Sequence, residues 1–294
     1  MIERFNFYDV YGYFLPGVAL LALVWLPFGL VQGVWPANAF SSAIAALAFA
    51  YILGNVLQTV AAGAFPSQRR DHKGIRRHPS DLFLDSDDPT FPRGFKEQLQ
   101  RQVTSAFALD LSLDQYGGGN SEITGRRKEA FFLCRGVLIR ANIASYSEQF
   151  EGMYALMRGL AASFWLGSMF LFGWVVSLLQ PGCFLSIAGT AAVASLGGAA
   201  ATSLVLMVLG PRYRARHSVD KLTALMLHIA LFCLGARLGA DHCISHSTGV
   251  LFLVVALAAF FAGIRCYGAY TYFAEEFAKA VWRDFLGLRT SSLT

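Results

Sequence analysis

Ser195 and His228 are the two side chains whose types fit hydrolysis, a hydroxyl nucleophile and an imidazole to take its proton, and both fall in long apolar runs. Chemistry carried by this pair would be an intramembrane hydrolysis. A histidine in such a run more commonly packs with its ring nitrogens hydrogen-bonded, and that interhelical role is the one expected of His228. Asp241, His242, Cys243 and His246 form a second cluster, of zinc-ligand type, and Cys183 lies in the preceding short polar loop. The five cysteines show no CxxC and no zinc-finger spacing, so no metal signature is present. A Cys183–Cys243 disulfide is the more economical use of the two loop thiols if they face an oxidising compartment. No cofactor motif is present. Asn55, Gln58 and Thr59 are polar residues deep in another apolar run. Amides there normally hydrogen-bond to a neighbouring helix, and the alternative is that they line a pore.

Two basic clusters, Arg69, Arg70, Lys73, Arg76 and Arg77, then Arg126, Arg127 and Lys128, offer a site for an anionic, nucleotide-like ligand. They would equally attract anionic lipid headgroups, at ~1 kcal/mol per basic residue near the surface. Retention of positive charge on the cytoplasmic side of a membrane explains them without any ligand. Gly117 to Gly119 is a flexible break that lacks the Lys-Ser/Thr of a phosphate-binding P-loop. Between Pro66 and Gly152 there are thirteen Lys/Arg and twelve Asp/Glu, a balance unsuited to double-stranded nucleic acid.

Lipid-embedded helices have to position most of these residues. Hydrophobic residues make up 55% of the 294 and charged ones 15%, where a soluble domain carries ~25% charged. A run of ~18 predominantly apolar residues crosses the ~30 Å hydrocarbon layer as a helix. About six such runs occur, near 14–35, 40–64, 156–179, 186–210, 222–240 and 250–268. None of them contains Asp, Glu or Lys, which argues against proton- or ion-coupled transport.

The reading is an all-α integral membrane protein in four parts. Residues 1–65 are an interfacial aromatic N-terminus and spans one and two; residues 66–152 are a helical cytoplasmic insert. Residues 153–268 are spans three to six, and 269–294 an amphipathic cytoplasmic helix extending from span six. Within the insert, Phe95, Leu99, Val103 and Phe107 recur every four residues and mark one amphipathic helix, with a second near 121–141. From Ser145 a periodic run continues without a breaker into span three, a helix of ~52 Å at ~1.5 Å per residue. The loops near Pro36, Pro181 and Asp241 hold no Lys or Arg. Both termini and the insert are therefore placed on the cytoplasmic side of the membrane.

The segments FYDVYGYFLPG, FFLCRGVLIRANIASYSEQFEGMYALMRGLAAS and FAEEFAKAVWRDFL resemble multi-pass bacterial membrane proteins of uncharacterised function, some associated with phage-defence loci. That resemblance implies an effector acting on the membrane and carries over no catalytic motif. The rhomboid proteases share six spans and a Ser/His pair, but their GxSG motif is missing here, Ser195 standing in Ala194-Ser195-Leu196-Gly197. The expected function is therefore non-enzymatic: a homo-oligomeric channel or membrane-perturbing effector, with the lipid bilayer as its medium, gated through the cytoplasmic helices. Alternatives are a scaffold that recruits a cytoplasmic protein through apolar faces around Phe131 and Phe277, and a hydrolase using Ser195 and His228.

Overall fold

A computed structural model describes residues 9–35, 43–65, 68–70, 76–113, 121–142, 145–177, 216–240 and 246–291. The described elements are helices apart from one antiparallel pair of two-residue strands, β1 (Arg69–Arg70) and β2 (Arg76–Arg77). It divides into two compact units. Met1–Pro66 with Ala155–Ala269 makes the first, and Ser67–Tyr154 with Tyr270–Thr294 the second.

The first unit contains α1 (Leu15–Gln32), entered through a π-helical turn Asp9–Phe14, and α2 (Ala43–Ala64). It also holds most of α6 (Ser145–Ser177), α7 (Arg216–Ala240) and the first half of α8 (His246–Ser291). Pro16 sits in the first turn of α1, where its missing N–H costs nothing, and Gly33 closes the helix in the left-handed conformation. Four helical stretches are long and apolar enough to cross a membrane: Asp9–Gln32, Ala43–Ala64, Tyr146–Ser177 and Ser247–Leu288. Leu225–Gly239 in α7 is apolar but shorter. The expected fourth span, near 186–210, lies outside the described residues.

Glycines let the backbones of this unit touch. A Cβ on Gly17 would lie 1.8 Å from the Ala50 carbonyl oxygen, and one on Gly54 would lie 1.7 Å from that of Tyr13. Gly173 and Gly235 repeat the arrangement between α6 and α7, with 2.0 Å to the Phe232 oxygen and 2.1 Å to the Phe170 oxygen. In lipid, where apolar contact has no hydrophobic driving force, such close packing is what holds helices together. Around these crossings pack Leu20, Leu57, Ala61 and Leu166, then Phe170, Trp174 and Phe252. The outward faces stay apolar: Ile44 is 79% exposed, and Val56, Val254 and Phe261 are exposed as well.

The second unit is built from α3 (Pro79–Leu82), α4 (Arg93–Phe107), α5 (Ser121–Arg140), the start of α6 and the end of α8. Its core is ordinary soluble-protein packing, with Phe83, Leu99, Val103, Leu111, Phe131, Leu138, Trp282 and Phe285 buried together. Trp282 Nε1 donates to the Ser80 carbonyl at 3.1 Å, which satisfies the polar end of a buried indole. Phe131 packs edge-on to Phe277 at 5.7 Å and to Trp282 at 5.3 Å. The two rings expected to present an apolar face to a partner therefore face each other, with Phe131 3% exposed. The apolar side chains that α5 does expose are Phe132, Leu133 and Ile139.

Candidate functional site

Gln58 organises the polar centre of the first unit. It is 4% exposed, and its Nε2 donates to the carbonyl oxygens of Gly12, at 2.6 Å, and Ala155, at 2.5 Å. Its Oε1 accepts from Nε of Arg158 at 3.0 Å. One amide thus ties the π-helical turn, α2 and α6 together, and the buried guanidinium of Arg158 is anchored to the same side chain. Ser163 Oγ lies 2.7 Å from the Pro16 carbonyl oxygen and 2.9 Å from that of Gly159, adding a second polar tie between α6 and α1.

A cavity of about 410 Å³ opens beside this hub, lined by Tyr13, Asn55, Val56, Gln58, Thr59 and Arg158 among others. Asn55 Nδ2 donates to the Tyr51 carbonyl at 2.9 Å and Thr59 Oγ1 to the Asn55 carbonyl at 3.0 Å. Both polar side chains are folded back on their own helix one turn earlier, which lowers the cost of polar atoms on an apolar face. The wall so formed has one cationic group, amide and hydroxyl oxygens, and no carboxylate among its lining residues. It can take up water or an anion within an otherwise apolar unit. His228 lies half-buried on α7 and does not line this cavity.

The basic clusters are divided differently. Arg77 and Arg127 do come together, but around Asp81 and Asp85 and inside the second unit. Arg77 Nε donates to Asp81 Oδ2 at 2.7 Å and its terminal nitrogens bind Asp85. Arg127, 0% exposed, donates from Nη1 to Asp85 Oδ1 at 2.6 Å and Asp81 Oδ1 at 3.1 Å. Its Nε and Nη2 reach the carbonyls of Leu111 and Ser112 at 2.8 and 2.9 Å. Two guanidinium groups and two carboxylates cancel, so the expected anion pocket is corrected at these two positions: their charge is committed to the fold. Burial acts to lower the Arg77 guanidinium, and the hydrogen bonds and charges of Asp81 and Asp85 outweigh it, holding it above the ordinary arginine range. Arg126 is half-buried, 3.9 Å from Glu122, and Lys128 is exposed. Arg69, Arg70 and Arg76 contribute backbone to the strand pair, Arg69 opposite Arg77 and Arg70 opposite Arg76. Lys73, Cys183, Ser195, Asp241, His242 and Cys243 lie outside the described residues, so neither the disulfide nor the Ser195 hydrolase has a described geometry.

Arg158, Asp81, Asp85 and Lys96 were not singled out from the sequence. Arg158 had a signal, an arginine inside the apolar run Met157-Arg158-Gly159-Leu160, which by itself marks a functional or structural polar centre. Arg77, Asp81 and Asp85 are spaced four apart, a spacing that hints at one face, but the burial depends on Arg127, 42 to 46 positions away. No family model matches the chain, and no curated protein or solved structure is significantly similar to it.

Proposed function

We propose that this chain is a non-enzymatic inner-membrane protein of bacteria, a homo-oligomeric channel or membrane-perturbing effector whose spans respond to its cytoplasmic unit. The observation that carries the reading is the continuity of α6 and α8. Each is a single unbroken helix, about 50 Å and about 69 Å long at ~1.5 Å per residue, whose residues are shared between the apolar and the polar unit. A change in the polar core, which α8 enters through Val281, Trp282 and Phe285, can thereby be passed to the spans through covalent helix. The Gln58–Arg158 centre and its cavity supply a hydrophilic patch that copies assembled side by side could turn toward a shared path. Apolar faces on α2 and α8 suit lipid or a second copy equally. The resemblance to proteins associated with phage defence fits such an effector.

The test is reconstitution of the detergent-purified protein into liposomes, with its oligomeric state measured by native mass spectrometry. Oligomers and a conductance that changes in Arg158→Gln support the reading. Monomers with no conductance under any condition overturn it. A second reading, a scaffold for a cytoplasmic protein, is favoured by the exposed Phe132, Leu133 and Ile139 of α5. It predicts a partner recovered from native membranes and lost in Phe132→Ser.

A further inference from the structure

Helix α5 is apolar on two sides. One side, with Ile123, Ala130, Phe131, Cys134 and Leu138, is buried in the second unit. The other turns outward, with Phe132 54% exposed, Ile139 45% and Leu133 38%. A helix that only covers a core carries polar residues on its outer side. Single exposed apolar residues are ordinary, but a contiguous group of them on one helix face marks a surface with a use.

The outward face has a repeat. Glu129, Leu133, Gly136 and Arg140 are spaced four, three and four apart, the alternation that keeps a seam in line where one helix packs along another. Phe132 and Ile139, seven apart, follow one edge of that seam. Glu129 and Arg140 are exposed, and neither has a charge partner among the described residues. A Cβ on Gly136 would meet nothing within 4 Å. An open hollow of about 370 Å³ beside Phe132 and Leu133 leaves room for a further packed side chain.

The order of charges along the seam decides what fits it. An anionic membrane surface would suit Lys128 and Arg140 but repel Glu129, which lies between them on the same face. A second copy of α5, laid antiparallel about a two-fold axis between Cys134 and Arg135, supplies every complement itself. Because such an interface is isologous, each contact occurs twice. Glu129 of each copy faces Arg140 of the other, and Leu133 of each meets the open position at Gly136. A parallel pairing would instead set Glu129 beside Glu129 and Arg140 beside Arg140, and like charges in contact oppose association. The seam covers only about three helical turns, and it gains from copies confined to one membrane, where the effective concentration is high.

We propose that the outward face of α5 is a self-association surface, on which a second copy of this chain packs its own α5 antiparallel with Glu129 against Arg140. The inference rests on the homo-oligomer of the proposed function and names a contact within it. The test uses two full-length chains with different tags, one Glu129→Cys and the other Arg140→Cys, co-expressed and treated with a mild oxidant in isolated membranes. Both positions face outward, so neither change threatens the fold. The expected result is a disulfide-linked dimer carrying both tags. Either chain expressed alone should give no more covalent dimer than the native chain, because in the antiparallel seam each position lies about 16 Å along the helix from its own counterpart. Absence of the mixed dimer overturns the inference, as does equal bridging by either chain alone, which would mean parallel pairing or random collision. A bridge from either position to a different protein would overturn it in favour of the scaffold. Oligomers that conduct without the mixed bridge would overturn the α5 seam and leave the channel standing; the mixed bridge without conductance would leave the seam standing and count against the channel.

Discussion

At the scale of the residue, the buried quartet of Arg77, Asp81, Asp85 and Arg127 makes the strongest demand on the second unit. Removing one partner of a buried ion pair leaves an uncompensated charge and costs about 3–5 kcal/mol. Asp85→Ala should therefore lower the unfolding midpoint of the polar unit sharply, as read by hydrogen exchange of α3–α5 amides. Combining it with Arg127→Met should cost clearly less than the sum of the two single changes, since the second removes the charge the first exposed. His78 provides a pH test in the same region. Its Nδ1 accepts from the Ser80 N–H at 3.3 Å and caps α3, a role open only to the neutral ring. Burial pulls its pKa from 6.5 down to about 4, against the attraction of Asp81. In that window the unfolded chain binds a proton that the folded one refuses, so stability falls as pH drops from about 6.5 to about 4 and levels off below. The span corresponds to roughly 3 kcal/mol. Thermal denaturation across this range should show the slope in the native protein and a shallower one in His78→Asn; identical slopes would contradict the assignment.

At the scale of the element, the helices were legible in one dimension and their partners were not. Phe95, Leu99, Val103 and Phe107 mark one face, and α4 runs Arg93–Phe107 with Leu99 and Val103 buried. Periodicity identifies such a face but carries no information about what covers it, which is why Phe131 and Phe277 read as partner-facing in the scaffold alternative, whereas each packs against the other. The same limit applies to Arg77. Neighbours in sequence placed it with a solvated basic run, whereas three-dimensional neighbours made it an internal ion pair. Gln58 was legible as an interhelical amide because an amide at that depth has to find a partner, although its three partners could not be named in advance. Glycine substitutions separate packed from open elements. Gly54→Ala forces a methyl against the Tyr13 carbonyl and should cost about 3 kcal/mol or more, read as loss of thermal stability of the first unit. Gly136→Ala, in α5, meets nothing within 4 Å and should stabilise by about 0.5–1 kcal/mol through the unfolded chain. Equal effects at the two sites would contradict the close approach of the π-helical turn to α2.

At the scale of the whole molecule, the chain joins two kinds of construction. One unit is held by glycine crossings and an amide hub under an apolar exterior, the other by an aromatic core around a neutralised ion quartet. The composition made the first kind visible, because a surplus of uncharged runs leaves lipid as the only suitable solvent. It hid the second, because the polar stretch looks merely charged until distant residues are brought together. The proposal that the polar unit lies in the cytoplasm and the apolar unit in the bilayer is tested most directly by protease accessibility. In intact spheroplasts the stretch from Arg69 to Arg77 should resist added protease, and in inverted membrane vesicles it should be cut, with the apolar fragments remaining in the membrane pellet after alkaline washing. Cleavage there in spheroplasts, or recovery of the folded chain in the detergent-free soluble fraction, would contradict the account.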